Sequence, residues 1–348
     1  MTDVPSLPFW IEQIGLFLLV ASPGLVFLLA YAADGDEAGW LRPWLIALLA
    51  LAGLATIALG AMLALTSLLP SMLPPDDIGV ALPDTRFLLW LGDATMLLGA
   101  LSLLFAVPAV RRLVARLLPI DPQRLVHLVA LDLVLVALWF SAAVALSLPA
   151  MMADPEGLEQ MGRMTARSGL TGVWMQNLGF VVLSVLGVGW LVARDGRAVA
   201  ERLGLTRTVP WRWWLGASLA ALAMAVATDQ LWTWLDPEGA AALGKLSDQL
   251  FGPLIAKGGI AAALTIGLAP GIGEELLFRG AAQPRLGLVV TSLLFAAVHT
   301  QYTVSPALVQ IFVVGLILGT VRIRAGTTAA IAVHATFNAV QVLMSAYG

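Results

Sequence analysis

Trp44 to Leu69 reads WLIALLALAGLATIALGAMLALTSLL. It carries no charged side chain and exceeds the ~20 apolar residues that a helix needs to cross the hydrocarbon of a bilayer. Apolar and polar residues do not alternate along it, so it is a helix rather than a strand of a barrel. Similar runs follow the same pattern at Ile14–Ala33, Phe87–Val110, Leu125–Met151, Val173–Ala193 and Trp213–Leu235. Further on the pattern is more broken. Gly252–Ala269 leads into Pro270-Gly271-Ile272-Gly273, and Leu286–Gln301, Pro306–Val321 and Thr327–Ala346 come after it. The sequence predicts an all-α, polytopic transmembrane helical bundle of about ten helices at spanning length.

Composition agrees. The 348 residues are 59% hydrophobic and only 12% charged, against about 25% charged in soluble proteins. A net charge of -3 gives no footing for nucleic acid, and the absence of cysteine removes disulfides, thiolate zinc sites and a cysteine nucleophile. Met1 to Phe9 holds no Lys or Arg and no small-residue cleavage site, so the first apolar run reads as a retained helix, not a signal peptide. With both termini outside, 14 of the 19 basic residues fall on the inner side. The outer ones are Arg86, Arg163, Arg167, Lys245 and Lys257, and the positive-inside rule favours that orientation. Acidic, proline-containing loops such as Pro74-Pro75-Asp76-Asp77 and Asp154-Pro155-Glu156 then lie outside. Trp10, Trp40, Trp44, Trp211, Trp213 and Trp214 stand at span ends as interface anchors. Composition shifts near residues 195–212, which divides the chain into an N-terminal bundle (1–200) and a C-terminal core (201–348). Asp236 to Gln249 reads as a second linker, an outer loop.

Three polar clusters interrupt the apolar C-terminal core: Glu274-Glu275-Leu276-Leu277-Phe278-Arg279, Phe295-Ala296-Ala297-Val298-His299 and His334-Ala335-Thr336-Phe337-Asn338. Ionisable groups at membrane depth are costly and mark function by default. Glu275 and Arg279, four apart, face each other on a helix, and pairing lets them share the cost of leaving water. Glu274 is turned ~100° away, free to act as a general base. The blander alternative has both glutamates satisfying Arg279 at a helix end. Pro270-Gly271-Ile272-Gly273 is either a kink or the break before a new helix, whose positive end would lie beside Glu274. Phe295 lies one turn from His299 and could set its orientation, while His334 and Asn338 share a face. Counted from Arg285 and Arg324 as inner ends, Glu274 is 11 residues in, His299 14 and His334 10. That is roughly 15–21 Å along a helix axis, a common layer in a core ~30 Å thick. Elsewhere, His127 reads as interfacial, and Asp93 and Asp132 as partners within the N-terminal bundle.

Glu-Glu-x-x-x-Arg, Phe-x-x-x-His and His-x-x-x-Asn, in that order, resemble the motifs of the CPBP family of intramembrane proteases. That family includes the CAAX prenyl endopeptidases and the bacteriocin-processing or Abi proteins. The resemblance covers roughly Trp211 to Gly348 and leaves the first 200 residues without a counterpart. It implies an endopeptidase acting at or within the bilayer on a membrane-associated protein or peptide, prenylated or not. Glu274 would activate a water with help from His299, His334 and Asn338 would stabilise the oxyanion, and Glu275 and Arg279 would brace the motif helix. A metal-free reaction is favoured. Zinc stays open, since Glu274, His299 and His334 could supply three ligands, although the His-Glu-x-x-His spacing is absent. Two other readings compete. A non-catalytic scaffold or immunity protein could keep the motifs for structure, and a transporter could use the buried carboxylates. The lack of visible internal repeats speaks against the transporter.

Overall fold

In lipid a chain can satisfy its backbone only with itself, so apolar runs of this length coil. The computed structural model describes residues 7–68, 85–302 and 305–347. Among these residues there are helices and no strand. The Pro74–Asp77 loop, Thr303 and the first six residues lie outside the described residues. The helices are α1 (Leu7–Ala21), α2 (Pro23–Ala33), α3 (Leu41–Thr66), α4 (Thr85–Ala106), α5 (Pro108–Val114), α6 (Leu125–Ala153) and α7 (Pro155–Gly187). There follow α8 (Gly196–Leu203), α9 (Trp211–Leu235), α10 (Pro237–Gly258) and α11 (Ile260–Glu274), then a π-helical segment (Glu275–Ala282), α12 (Gln283–Ala297), α13 (Pro306–Ala325) and α14 (Thr327–Tyr347).

Nine segments of the described residues are long and apolar enough to cross a membrane, so the protein is an integral, multi-pass membrane protein. One of the nine, Ile260–Ala297, is 38 residues long. It is not a single rod, because Gly287 inside α12 has φ 77° and ψ 172°, far from helical values. Glu274 and His299 would be almost 40 Å apart on a straight helix at 1.5 Å per residue, yet their side chains approach to 3.8 Å. The chain therefore folds back at Gly287, one of the few places where a residue without Cβ makes such a turn cheaply.

The structure revises one local expectation and decides an alternative the sequence left open. Asp236–Gln249 is helical, not a loop. The Asp236 side chain accepts from the Gly239 N–H and Pro237 occupies the first turn, which is a helix start. No helix begins at Gly273, since α11 runs through Pro270 to Glu274 and the irregular backbone starts at Glu275. His127, near the start of α6, is buried, and its Nδ1 accepts from the Asp121 N–H at 2.8 Å, closing the turn that leads into α6.

The chain forms two compact units, Leu29–Ser147 and a second made of Met1–Leu28 with Leu148–Gly348. In the first, α3 and α4 meet along glycines. A Cβ on Gly60 would come within 2.6 Å of the Gly92 carbonyl oxygen, and one on Gly99 within 2.5 Å of that of Gly53. Lipid offers helices no hydrophobic drive to associate, so such backbone proximity supplies the packing. Asp34 accepts from the N–H groups of Leu125 and Val126 and pairs with Arg42 at 3.0 Å, capping α6 from a distant loop. Arg111 is buried and caps the end of α4 through the carbonyls of Phe105 and Ala106. Burial lowers its pKa from the usual arginine range. Asp132 accepts from Ser102 at 3.0 Å, and Asp93 is exposed. In the second unit, small and branched residues of α9, α13 and α14 (Ala221, Leu318, Ala329 and Val333 among them) form one apolar core. A smaller cluster joins α8 to the π-segment through Val199, Leu203 and Leu276.

Candidate active site

Gly267, Gly271 and Glu275 recur every four residues and so share one face of the helical path. That face meets α14. A Cβ on Gly267 would lie 2.8 Å from the Ala335 carbonyl oxygen, and one on Gly271 3.1 Å from the Ala335 Cβ. Two missing side chains thus let α14 approach closely enough for Glu275, the next member of the row, to meet His334. Glu275 Oε1 lies 2.9 Å from His334 Nδ1 and 3.3 Å from Arg279 Nη1. A carboxylate only accepts, so the ring donates through Nδ1–H and leaves Nε2 for other contacts. Arg279 reaches the Gly315 carbonyl through Nη2 at 3.4 Å and lies 4.0 Å over the Phe295 ring. The carboxylate, guanidinium and imidazole are all buried.

Glu274, one residue earlier, points to a different neighbour. Its Oε2 faces His299 Nε2 at 3.8 Å and has no hydrogen-bond partner. His299 Nδ1 is 2.6 Å from the Phe295 carbonyl, which only accepts, so this ring too donates through Nδ1–H. In the neutral ring Nε2 is then an acceptor looking at a second acceptor. Such a pair is arranged to hold a proton donor. The side chains of Glu274 and His299 keep 15% and 14% of their surface accessible, whereas Glu275 and Arg279 keep 0% and 1%. The first pair is therefore partly open and the second sealed.

Phe295 joins the two halves. Its ring lies 4.5 Å from that of His299 and 6.0 Å from that of His334, with Phe278 packed edge-on at 5.2 Å. The sequence assigned it only to His299. Tyr302, which the sequence did not suggest, stacks on His299 with centroids 6.3 Å apart and planes at 21°. Asn338 lies one turn beyond His334, and its Nδ2 donates to the Ile266 carbonyl at 3.2 Å, tying α14 to α11. Asn177 of α7 backs the site, with its carbonyl 2.7 Å from where a Gly273 Cβ would stand. The repeat Gly267-x-x-x-Gly271-x-x-x-Glu275 was the sequence signal for the α14 contact.

Glu274, His299 and His334 were the three ligands open to zinc. Among the described residues no three His, Asp or Glu side chains gather to hold a metal ion. His334 and His299 each engage Nδ1, with Glu275 and the Phe295 carbonyl, which leaves Nε2 as the ligating nitrogen of either ring. The three donors as placed do not converge on one ion.

Comparison with known proteins agrees on the same stretch. Residues 256–340 match the family described as type II CAAX prenyl endopeptidase Rce1-like. An "Uncharacterized 24.3 kDa protein" of Escherichia coli is 42% identical over 73 residues, which cover 18% of this chain and 34% of that protein. The chain thus spans about a third of the length of that curated relative. No solved structure matches. Every motif side chain, from Glu274 to Asn338, lies in the matched stretch, so the residues that carry the resemblance to the CPBP intramembrane proteases are the ones the family match covers.

Proposed function

We propose that the protein is an intramembrane endopeptidase in which Glu274 activates a water for attack on a peptide carbonyl. The observation that carries this reading is the partnerless Glu274 Oε2 facing His299 Nε2, in a pair whose side chains keep 15% and 14% of their surface open. A water between them gives one hydrogen to each acceptor, with its oxygen lone pair turned to the substrate. As the oxygen attacks, its proton passes to Glu274, which returns it to the leaving amine. His299, held by Phe295 and Tyr302, fixes the water. His334 presents Nε2 toward the reaction. Donation to the oxyanion requires that nitrogen to carry a proton, and Glu275 beside Nδ1 supplies the balancing charge. Asn338 supports this side by holding α14 on α11 and offers its remaining amide hydrogen to the oxyanion. Residues 201–348 form the catalytic core in this reading, and the substrate is a membrane-associated protein or peptide.

The test is cleavage by the purified protein in lipid vesicles of a fluorogenic peptide ending in a CAAX-type sequence, with and without a prenyl group. Cleavage that persists in excess of a strong zinc chelator is the expected result. Complete loss that zinc alone restores would replace the glutamate mechanism with a metal one. Discrimination between the two peptides reads substrate class.

The orientation proposed with this function has both termini outside and the arginine-rich loops cytoplasmic. The native chain has no cysteine, so a single Arg197→Cys variant gives a clean reading. Arg197 is 88% exposed on α8. An impermeant thiol reagent should label it in opened membranes and not in intact cells, and labelling of intact cells would reverse the topology.

A further inference from the structure

Three successive carbonyls of the π-segment are held by arginines from other helices. Arg322 of α13 donates through Nε to the Arg279 carbonyl at 3.0 Å. Arg202 of α8 donates through Nη1 to the Gly280 carbonyl at 2.7 Å and through Nη2 to that of Ala281 at 3.1 Å. A π-helix shifts the bonding pattern from i→i+4 to i→i+5; it is rare, and frequently found at functional sites. It persists only where its surroundings enforce it. Here a planar guanidinium spans two neighbouring oxygens, a geometry that an ammonium cannot reproduce.

The residues following Arg202 grip the other catalytic helix. Thr327, the first residue of α14, donates its hydroxyl to the Leu203 carbonyl at 2.5 Å and its N–H to that of Gly204 at 2.9 Å. Thr328 bonds the Leu205 carbonyl at 3.3 Å. Gly204 has φ 77°, and a Cβ there would come 2.9 Å from the Thr327 hydroxyl, so the junction accepts glycine alone without shifting. Gly280 meets Leu203 in the same way, with a Cβ 3.0 Å from the leucine side chain. The end of α8 and the two residues after it therefore fasten the π-segment through Arg202 and the start of α14 through Leu203, Gly204 and Leu205. Glu275 stands at the head of the π-segment, and His334 lies two turns into α14. Their 2.9 Å contact depends on the relative placement of these two elements.

We propose that Arg202 is a positioning residue that sets the Glu275–His334 register from the membrane surface, outside the spans. Its consequence for turnover rests on the protease reading, but its consequence for His334 does not. A misplacement of about 1 Å costs on the order of a hundredfold in rate, so Arg202→Gln should lower kcat by ten- to a hundredfold with KM changed less than about twofold. Arg202→Lys keeps the charge and loses the two-oxygen fit, and should recover only part of the loss.

The second readout is independent of cleavage. The chain has 3 histidines, so protein labelled with 15N only at histidine gives a small set of ring signals, assigned by single His→Gln variants. Arg202→Gln in detergent micelles should move the His334 signals and leave those of His127, in the other compact unit, where they were. Arg197→Ala, on the outer face of the same helix, should move neither signal nor rate. If Arg202→Gln fails to fold, Arg202→Lys is read instead, and a partial shift of His334 supports the proposal. An unmoved His334 in a folded Arg202 variant overturns it whatever happens to cleavage. A wild-type protein that does not cut, with His334 still shifted by Arg202→Gln, would sink the protease reading and keep the positioning role.

Discussion

Glu274→Gln is expected to give a folded protein that no longer cuts. The glutamine keeps the shape and loses the ability to take a proton. Proton transfer by a positioned side chain is worth about 10²–10⁴-fold, so cleavage should fall by at least that range. Stability should not fall with it. Glu274 Oε2 makes no hydrogen bond and its approach to His299 is 3.8 Å, too long for a direct one. Removing a charge that nothing satisfies costs the fold little. The same exchange one residue later should do the reverse. Glu275→Gln weakens the ties to His334 and Arg279 together, and so lowers thermal stability as well as activity. Both are measured as peptide cleavage in vesicles beside thermal unfolding in detergent. Wild-type turnover by well-folded Glu274→Gln would remove Glu274 from the chemistry.

This division between two adjacent glutamates was legible in the sequence because an α-helix turns by a fixed angle per residue, and the Glu275–Arg279 spacing already claimed one of them. The spans and their helical nature were legible for a similar reason, since bilayer thickness dictates their length. What could not be read was long-range. Glu275 and His334 are 59 residues apart, and no local periodicity says which neighbour α11 will choose. The glycine row facing Ala335 was visible as letters, but small residues mark a packing face without naming the partner. The π-segment was hidden because Glu-Leu-Leu-Phe-Arg reads the same in either helix type. The arginines that hold its carbonyls, Arg202 and Arg322, lie far off in the chain. The Asp236-Pro237 start of α10 carried a clear signal, which the surrounding Gly, Glu and Lys made resemble a loop. Zinc ligation looked open while only residue types were known. Among the described residues the three donors do not gather around one point, a matter of placement that residue types do not carry.

The largest loss of stability is expected from Arg279→Met. Its guanidinium is almost wholly buried, 3.3 Å from Glu275 Oε1, 3.4 Å from the Gly315 carbonyl and 4.0 Å over Phe295. Methionine fills much of the space and offers none of those donors. It leaves the Glu275 carboxylate buried with His334 as its remaining partner, and its Oε2 already makes no hydrogen bond. Removing one member of a buried pair costs about 3–5 kcal/mol, because the other charge stays behind uncompensated. The double variant Glu275→Gln/Arg279→Met removes that stranded charge and should be more stable than Arg279→Met alone. The two substitutions would then combine to less than the sum of their separate effects, as contacting residues do. Thermal unfolding of the four proteins in detergent measures the coupling. Strict additivity would mean that Glu275 and Arg279 do not support each other, and that the motif helix is held by backbone contacts alone.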